Sequence, residues 1–214
     1  MKFWKFASAV TALVLSTSVN AALVERLGGL AYYDTEADLT WLTDANSFGT
    51  LSGGTGAIEW SNAQSYVENI FVVEGIDGWR LPTTTWPDES CNDYDYYNQR
   101  VNYRNCSGSE MGNLYYNVLG NEDDLLINTG PFINFQNGIY WSSTVDASAP
   151  ESWAWGFDMR NGDQYSYGMN DDHYVWLVHD GDVAELSPVP VPSAIWLFGS
   201  GLIGLAGMAR RKKS

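Results

Sequence analysis

Beyond residue 27 the apolar side chains recur with two different periods, and the change between them divides the chain. Leu27-Gly-Gly-Leu-Ala-Tyr-Tyr33 and Leu39-Thr-Trp-Leu42 read as two short strands, joined by the turn Asp34-Thr-Glu-Ala-Asp38. A glycine-rich loop over residues 49–56 follows; it lacks the Gly-Lys-Ser/Thr of a phosphate loop. The period then lengthens. Ala63, Val67, Ile70 and Phe71 share one helical face, Ser61-Asn-Ala-Gln64 has the form of a capping box, and Gly75 is a stop. Met111, Leu114, Tyr115, Val118 and Leu119 mark a second helix, which starts near Ser109 or Glu110 and closes at Gly120. After Gly130-Pro131 strand patterns return. They cover Ile139–Thr144, Ser152–Asp158, Gln164–Tyr167 and His173–Val178, with Asn161-Gly162 as a hairpin signal. A hairpin, two helices and then a cluster of strands predict an α+β fold, its two helices flanking a twisted, mainly antiparallel sheet.

The two ends follow other rules. Lys2 and Lys5 precede an apolar run from Phe6 to about Leu15, and Val19-Asn-Ala21 precedes Ala22. That is the order of a secretory signal, with cleavage expected between Ala21 and Ala22. At the other end, residues 187–193 form a proline-rich spacer that continues neither a helix nor a central strand. Residues 194–209, 16 in number, are apolar on all faces and span roughly 24 Å as a helix. This is slightly less than the ~30 Å hydrocarbon core of a bilayer. Arg210, Arg211, Lys212 and Lys213 follow and place the basic end in the cytoplasm. The expected organisation is a signal over 1–21, one domain over 22–186, the spacer, and a membrane tail over 194–214.

Charge narrows the range of partners. With both ends set aside, the cations are Arg26, Arg80, Arg100, Arg104 and Arg160, against 26 acids between Glu25 and Glu185. Nucleic acid, anionic lipid and sulfated polysaccharide need Lys/Arg neutralisation, so this domain repels them. Neutral sugars, cations and basic partners remain. Cys91 and Cys106 are expected to pair in an oxidising compartment, because no histidine lies near them to complete a metal site.

The tail Val189-Pro-Val-Pro-Ser-Ala-Ile-Trp-Leu-Phe-Gly-Ser-Gly-Leu-Ile-Gly-Leu205, with its basic cluster, resembles the PEP-CTERM sorting tail. The resemblance implies recognition and cleavage by an exosortase-type membrane protease, in Gram-negative bacteria that make exopolysaccharide. Pro190-Val191-Pro192 stands where that family has Pro-Glu-Pro, so anchoring without cleavage stays open. Within the domain, Gly78-Trp-Arg-Leu-Pro-Thr83, Tyr140-Trp-Ser-Ser-Thr144, Ala154-Trp-Gly-Phe157 and Val175-Trp-Leu-Val178 form an ordered set. Together with Asp44-Ala-Asn46 and Asn128-Thr-Gly-Pro-Phe132 it resembles the Lcl-type domain, named for the C-terminal domain of a collagen-like adhesin. That resemblance implies a C-type-lectin-like fold, related more remotely to formylglycine-generating enzymes.

The motif residues Trp79 and Leu81 are expected in the core, Pro82 at a strand end, and Arg80 against an acid. The rings of Trp153, Trp155 and Phe157 share a strand face, which makes core of them too. The best candidates for binding are Tyr94, Tyr96, Tyr97, Asn98 and Tyr103, between the two cysteines. Tyrosine rings stack on apolar sugar faces, amides and carboxylates grip hydroxyls, and a disulfide lowers the ordering cost of binding. Calcium-dependent sugar binding, which the lectin resemblance also implies, rests on Glu-Pro-Asn, Gln-Pro-Asp or Trp-Asn-Asp motifs, and none is present. Asp171, Asp172, Asp180 and Asp182 are the candidates for Ca²⁺, though without EF-hand spacing. No His-Glu-x-x-His, Gly-x-Ser-x-Gly or Ser-x-x-Lys motif occurs, and no acid pair stands out for glycoside hydrolysis, so no enzyme is expected. The residues fit a surface or matrix binding module that contacts exopolysaccharide or a partner protein. A structural surface protein without a specific ligand and a glycan hydrolase are the other two readings.

Overall fold

The computed structural model describes residues 23–97, 100–122 and 128–186. Both ends of the chain, including Ala21, Ala22, the Pro190–Pro192 motif and the Arg210–Lys213 cluster, lie outside the described residues. So does the expected membrane helix, and no helix among the described residues is long and apolar enough to cross a membrane.

The fold is α+β. Strands β1 (Leu23–Arg26), β2 (Ala31–Asp34) and β3 (Leu39–Leu42) come first, then helix α1 (Ser47–Ser52), strand β4 (Ala57–Ile58) and helix α2 (Trp60–Ile70). Strands β5 (Asp93–Tyr97) and β6 (Arg100–Arg104) follow, and α3 (Glu110–Gly112) continues as a π-helical turn over Asn113–Val118. Strands β7 (Ile139–Val145), β8 (Trp153–Asp158), β9 (Asp163–Gly168), β10 (His173–Tyr174) and β11 (Val178–Asp180) complete the set. The expected single sheet is two: β1-β2-β3-β11, and β4-β10-β7-β8-β9-β6-β5. Pairing is antiparallel except between β10 and β7.

Several sequence expectations are corrected. The strand expected from Leu27 begins only at Ala31, because Leu27, Gly28 and Gly29 all take positive φ and turn the chain back on β1. Part of the expected glycine-rich loop is α1, and its end at Gly53 has the left-handed conformation glycine tolerates. The capping box at Ser61 does not form. Helix α2 starts at Trp60 with Glu59 as a cap that makes no side-chain bond. Tertiary bonds set that start: the Trp60 amide donates to the Met169 carbonyl at 3.0 Å, and its indole N–H to the Ser142 carbonyl at 2.8 Å. The expected closing strand His173–Val178 is split between β10 in the large sheet and β11 in the small one. Val175, Trp176 and Leu177 cross between the sheets and are all fully buried, since core lies on every side of the crossing.

The four ordered motifs prove to be neighbours. Arg80 and Val178 exchange backbone bonds of 2.8 and 2.9 Å, and the Ser143 amide donates to the Pro82 carbonyl at 2.8 Å. The Thr84 amide donates to the Thr144 hydroxyl at 2.9 Å, and that hydroxyl donates back to the Thr84 carbonyl. Trp79 and Leu81 are buried, as expected, but within an extended segment joined to its neighbours by single bridges rather than a strand. Arg80 meets two acids. Its guanidinium donates to Glu110 through two nitrogens at 2.8 and 2.7 Å and also binds Asp180. Glu110 in turn accepts the Thr83 amide at 2.7 Å. Burial by itself lowers the Arg80 pKa, but these carboxylate bonds outweigh it and hold the pKa above the ordinary arginine value.

Candidate functional site

The tyrosine-rich segment is not a loop. Its residues form the hairpin β5–β6 at the edge of the large sheet, and β6 pairs with β9 through Tyr103 and Gln164. The Cys91–Cys106 disulfide closes the base of the hairpin, with the two Cα atoms 4.1 Å apart. Behind it, Gly112 packs so closely that an added Cβ would fall on the Cys106 carbonyl. Closing a loop of this length contributes about 3 kcal/mol on the chain-entropy model. Reduction, or the double substitution Cys91→Ser/Cys106→Ser, is therefore expected to lower the urea-unfolding free energy by about that amount. An unchanged midpoint would show that the hairpin is held by its pairing to β9 alone.

A second segment, residues 83–90, lies beside the hairpin base and is tied down at every turn. The Thr85 amide donates to the Ser109 hydroxyl, and the Thr85 hydroxyl to the Gly108 carbonyl, both at 3.0 Å. The buried Asp88 carboxylate accepts the Ser90 amide at 2.9 Å, the Ser90 hydroxyl at 2.6 Å and the Gly108 amide at 3.2 Å. A Cβ at Gly108 would collide with that carboxylate, so the close approach requires glycine.

These ties hold Trp86, which no sequence pattern singled out. Its ring stacks on Trp155 with centroids 4.8 Å apart and planes 30° apart. Tyr103 closes on the same indole at 4.2 Å. Trp155 is 4% exposed, whereas Trp86 is 41% exposed. The expectation that Trp153, Trp155 and Phe157 are all core is thus refined. Phe157 is in the central core, Trp155 is the floor beneath Trp86, and Trp153 is half-buried. Tyr94 lies directly opposite Tyr103 in the hairpin register and is 60% exposed. Residues directly opposite share a face, with Cβ atoms about 4.5–5.5 Å apart. Trp86, Tyr103 and Tyr94 therefore belong to one aromatic face. The side chains of Tyr96 and Tyr97, and all of Asn98, lie outside the described residues.

Three of the four aspartates proposed for Ca²⁺ hold other partners. Asp180 binds Arg80, and Asp182 binds Arg26 through two bonds of 2.6 Å. Asp171 accepts the Gly168 amide at 3.1 Å, and Asp172 is exposed. Among the described residues the ligand-type cluster is instead Asp88, Cys91 and Cys106, and its sulfurs are spent in the disulfide. An apolar groove of about 450 Å³ lies apart from the aromatic face, lined by Leu30, Leu51, Val72 and Ile133 among others. Its walls group no stacked rings around an anchored polar loop. The aromatic face is the better candidate for recognising a polar ligand.

Comparison with known families agrees with the motifs. No curated protein matches the chain. Residues 188–212 match the PEP-CTERM protein-sorting motif, the mark of an exported surface protein processed by exosortase. Residues 31–179 match the Lcl C-terminal domain, and the chain belongs to that family.

Proposed function

We propose that this exported surface protein is a binding module, a C-type-lectin-like domain that contacts exopolysaccharide through the β5–β6 hairpin and its surroundings. The observation that carries the reading is the exposed Tyr94 opposite Tyr103 on a hairpin closed by a disulfide. Exposed rings on a pre-ordered support offer apolar area without a further ordering cost. The disulfide fits an oxidising compartment, to which residues 1–21 would direct the chain as a signal cut between Ala21 and Ala22. The tail would stay in the inner membrane until exosortase cuts it, or remain as an anchor where Val191 blocks the cut. The reading assigns no catalytic residue.

The test is a glycan array probed with the full chain in detergent, on neutral and on acidic polysaccharides. Binding to neutral chains, weakened severalfold in Tyr94→Ala, is the expected result. An array silent for every glycan would leave a structural surface protein. Turnover of a bound glycan would make it a hydrolase.

A further inference from the structure

We propose that Trp86 is the principal sugar-stacking residue of this protein, and that its ligand is a neutral pyranose chain held without calcium. The proposal rests on the glycan-binding reading above and specifies both its chemistry and its centre.

The exposure of Trp86 is the first ground. Tryptophan carries a large apolar surface, and leaving 41% of it in water forfeits the gain from burial. Nothing about the local chain demands that exposure, because a polar residue would serve a solvent-facing loop equally well. The second ground is that the ring is held in place. Trp155 backs one of its faces, Tyr103 leans on it at 4.2 Å, and the segment beneath is pinned by Thr85, Asp88 and Ser90. The indole therefore presents a surface whose orientation is set before a ligand arrives, which is the condition for efficient stacking.

Charge selects the class of sugar. Asp88, Glu89 and Asp93 lie in the segments that carry the face, while Arg104 on β6 pairs with Asp163 at 3.6 Å. A uronic acid or sulfated unit would meet the exposed Glu89 and Asp93, and Arg104 is already engaged by Asp163. A neutral pyranose with an apolar ring face meets only the rings and the surrounding hydroxyl and amide groups. The exposed Asn92 and the half-buried Asn105, hydrogen-bonded to each other at 2.8 Å, lie near the hairpin base. Tyr94, opposite Tyr103, extends the aromatic surface across the hairpin from β6 to β5, so the ligand is a chain of at least two units.

The metal-free mode follows from the aspartates. Asp180 and Asp182 are held by Arg80 and Arg26. Among the described residues no group of three or more free acidic or histidine ligands gathers at the platform.

The experiment compares the full chain in detergent with Trp86→Ala, Trp86→Phe and Tyr94→Ala. Each is titrated with cellohexaose, mannohexaose and oligogalacturonate, in EDTA and again in Ca²⁺. The expected result is binding of a neutral hexasaccharide that EDTA does not change, with oligogalacturonate excluded. Trp86→Ala weakens it by about tenfold or more, as loss of a stacked ring should. Trp86→Phe keeps part of the affinity, and an unchanged thermal midpoint in that variant separates loss of the indole from loss of fold. Binding that needs Ca²⁺, or that Trp86→Ala and Trp86→Phe leave at the wild-type level, overturns the proposal while the lectin reading stands. Failure of the wild-type chain to bind either neutral hexasaccharide overturns the proposal, and silence on the whole glycan array overturns the lectin reading with it.

Discussion

Trp176→Ala lowers the free energy of unfolding by about 3–5 kcal/mol, the range for removing a fully buried tryptophan. Trp176 is 0% exposed and stands where the chain passes from one sheet to the other. Its ring meets Trp41 at 4.9 Å, Phe132 at 4.8 Å and Phe135 at 5.3 Å. Its indole N–H donates to the Leu42 carbonyl at 2.7 Å. Truncation opens a cavity at the joint between the sheets and leaves that carbonyl short of a donor. Trp176→Phe restores most of the volume but not the bond, so it should lose about 1–2 kcal/mol beyond the cost of the smaller ring. Urea unfolding followed by tryptophan fluorescence and by circular dichroism measures both. A loss in Trp176→Ala below about 1 kcal/mol would mean that the sheets are not coupled through this residue.

The second large effect falls on Arg80. Arg80→Ala removes the partner of Glu110 and Asp180 together, and should cost about 2–3 kcal/mol. This is less than for a fully buried pair, because the Arg80 and Glu110 side chains remain 28% and 18% exposed. Arg80→Lys recovers only part of the loss, since an ammonium cannot reproduce two parallel bonds to one carboxylate. The variant also carries a pH readout. The Arg80 hydrogen bonds hold the Asp180 carboxyl below its ordinary pKa, against the opposing effect of burial. A carboxyl depressed in the fold adds stability that is present above its unfolded pKa, near 4, and is lost as the pH falls through the lower folded value. Asp182 behaves in the same way through Arg26. In Arg80→Ala the Asp180 share disappears and the Asp182 share remains. Unfolding free energy plotted against pH below about 4 should then fall less steeply than in the wild type. Equal slopes would show that Asp180 gains nothing from Arg80.

Much of this architecture was legible because it is local. The hairpin β8–β9 follows from alternating side chains and the turn signal Asn161-Gly162, although the connection is the four residues 159–162, with Asp158 opposite Asp163, rather than a two-residue turn. The second helix follows from the spacing of Met111, Leu114 and Tyr115, and all three are buried. Even the Arg80 ion pairs were foreseeable, since an arginine between buried Trp79 and Leu81 must bring an acid with it. The Ser61 cap was misread because the groups that set the helix start, on Ser142 and Met169, lie more than eighty residues away in the chain and touch Trp60 only after folding. The aromatic face was half visible. Tyr94 and Tyr103 lie between the paired cysteines, whereas Trp86 sits in a polar segment with no period to betray it.

Composition and short-range pattern were sufficient for the acidic character of the domain, the disulfide partners, the α+β class and the order of most elements. These depend on residue type and on spacings of a few positions. The break between β10 and β11, the joint at Trp176 and the stack of Trp86 on Trp155 were decided in three dimensions. Each joins segments far apart in sequence, and which rings are buried or left in water depends on the neighbours that packing supplies.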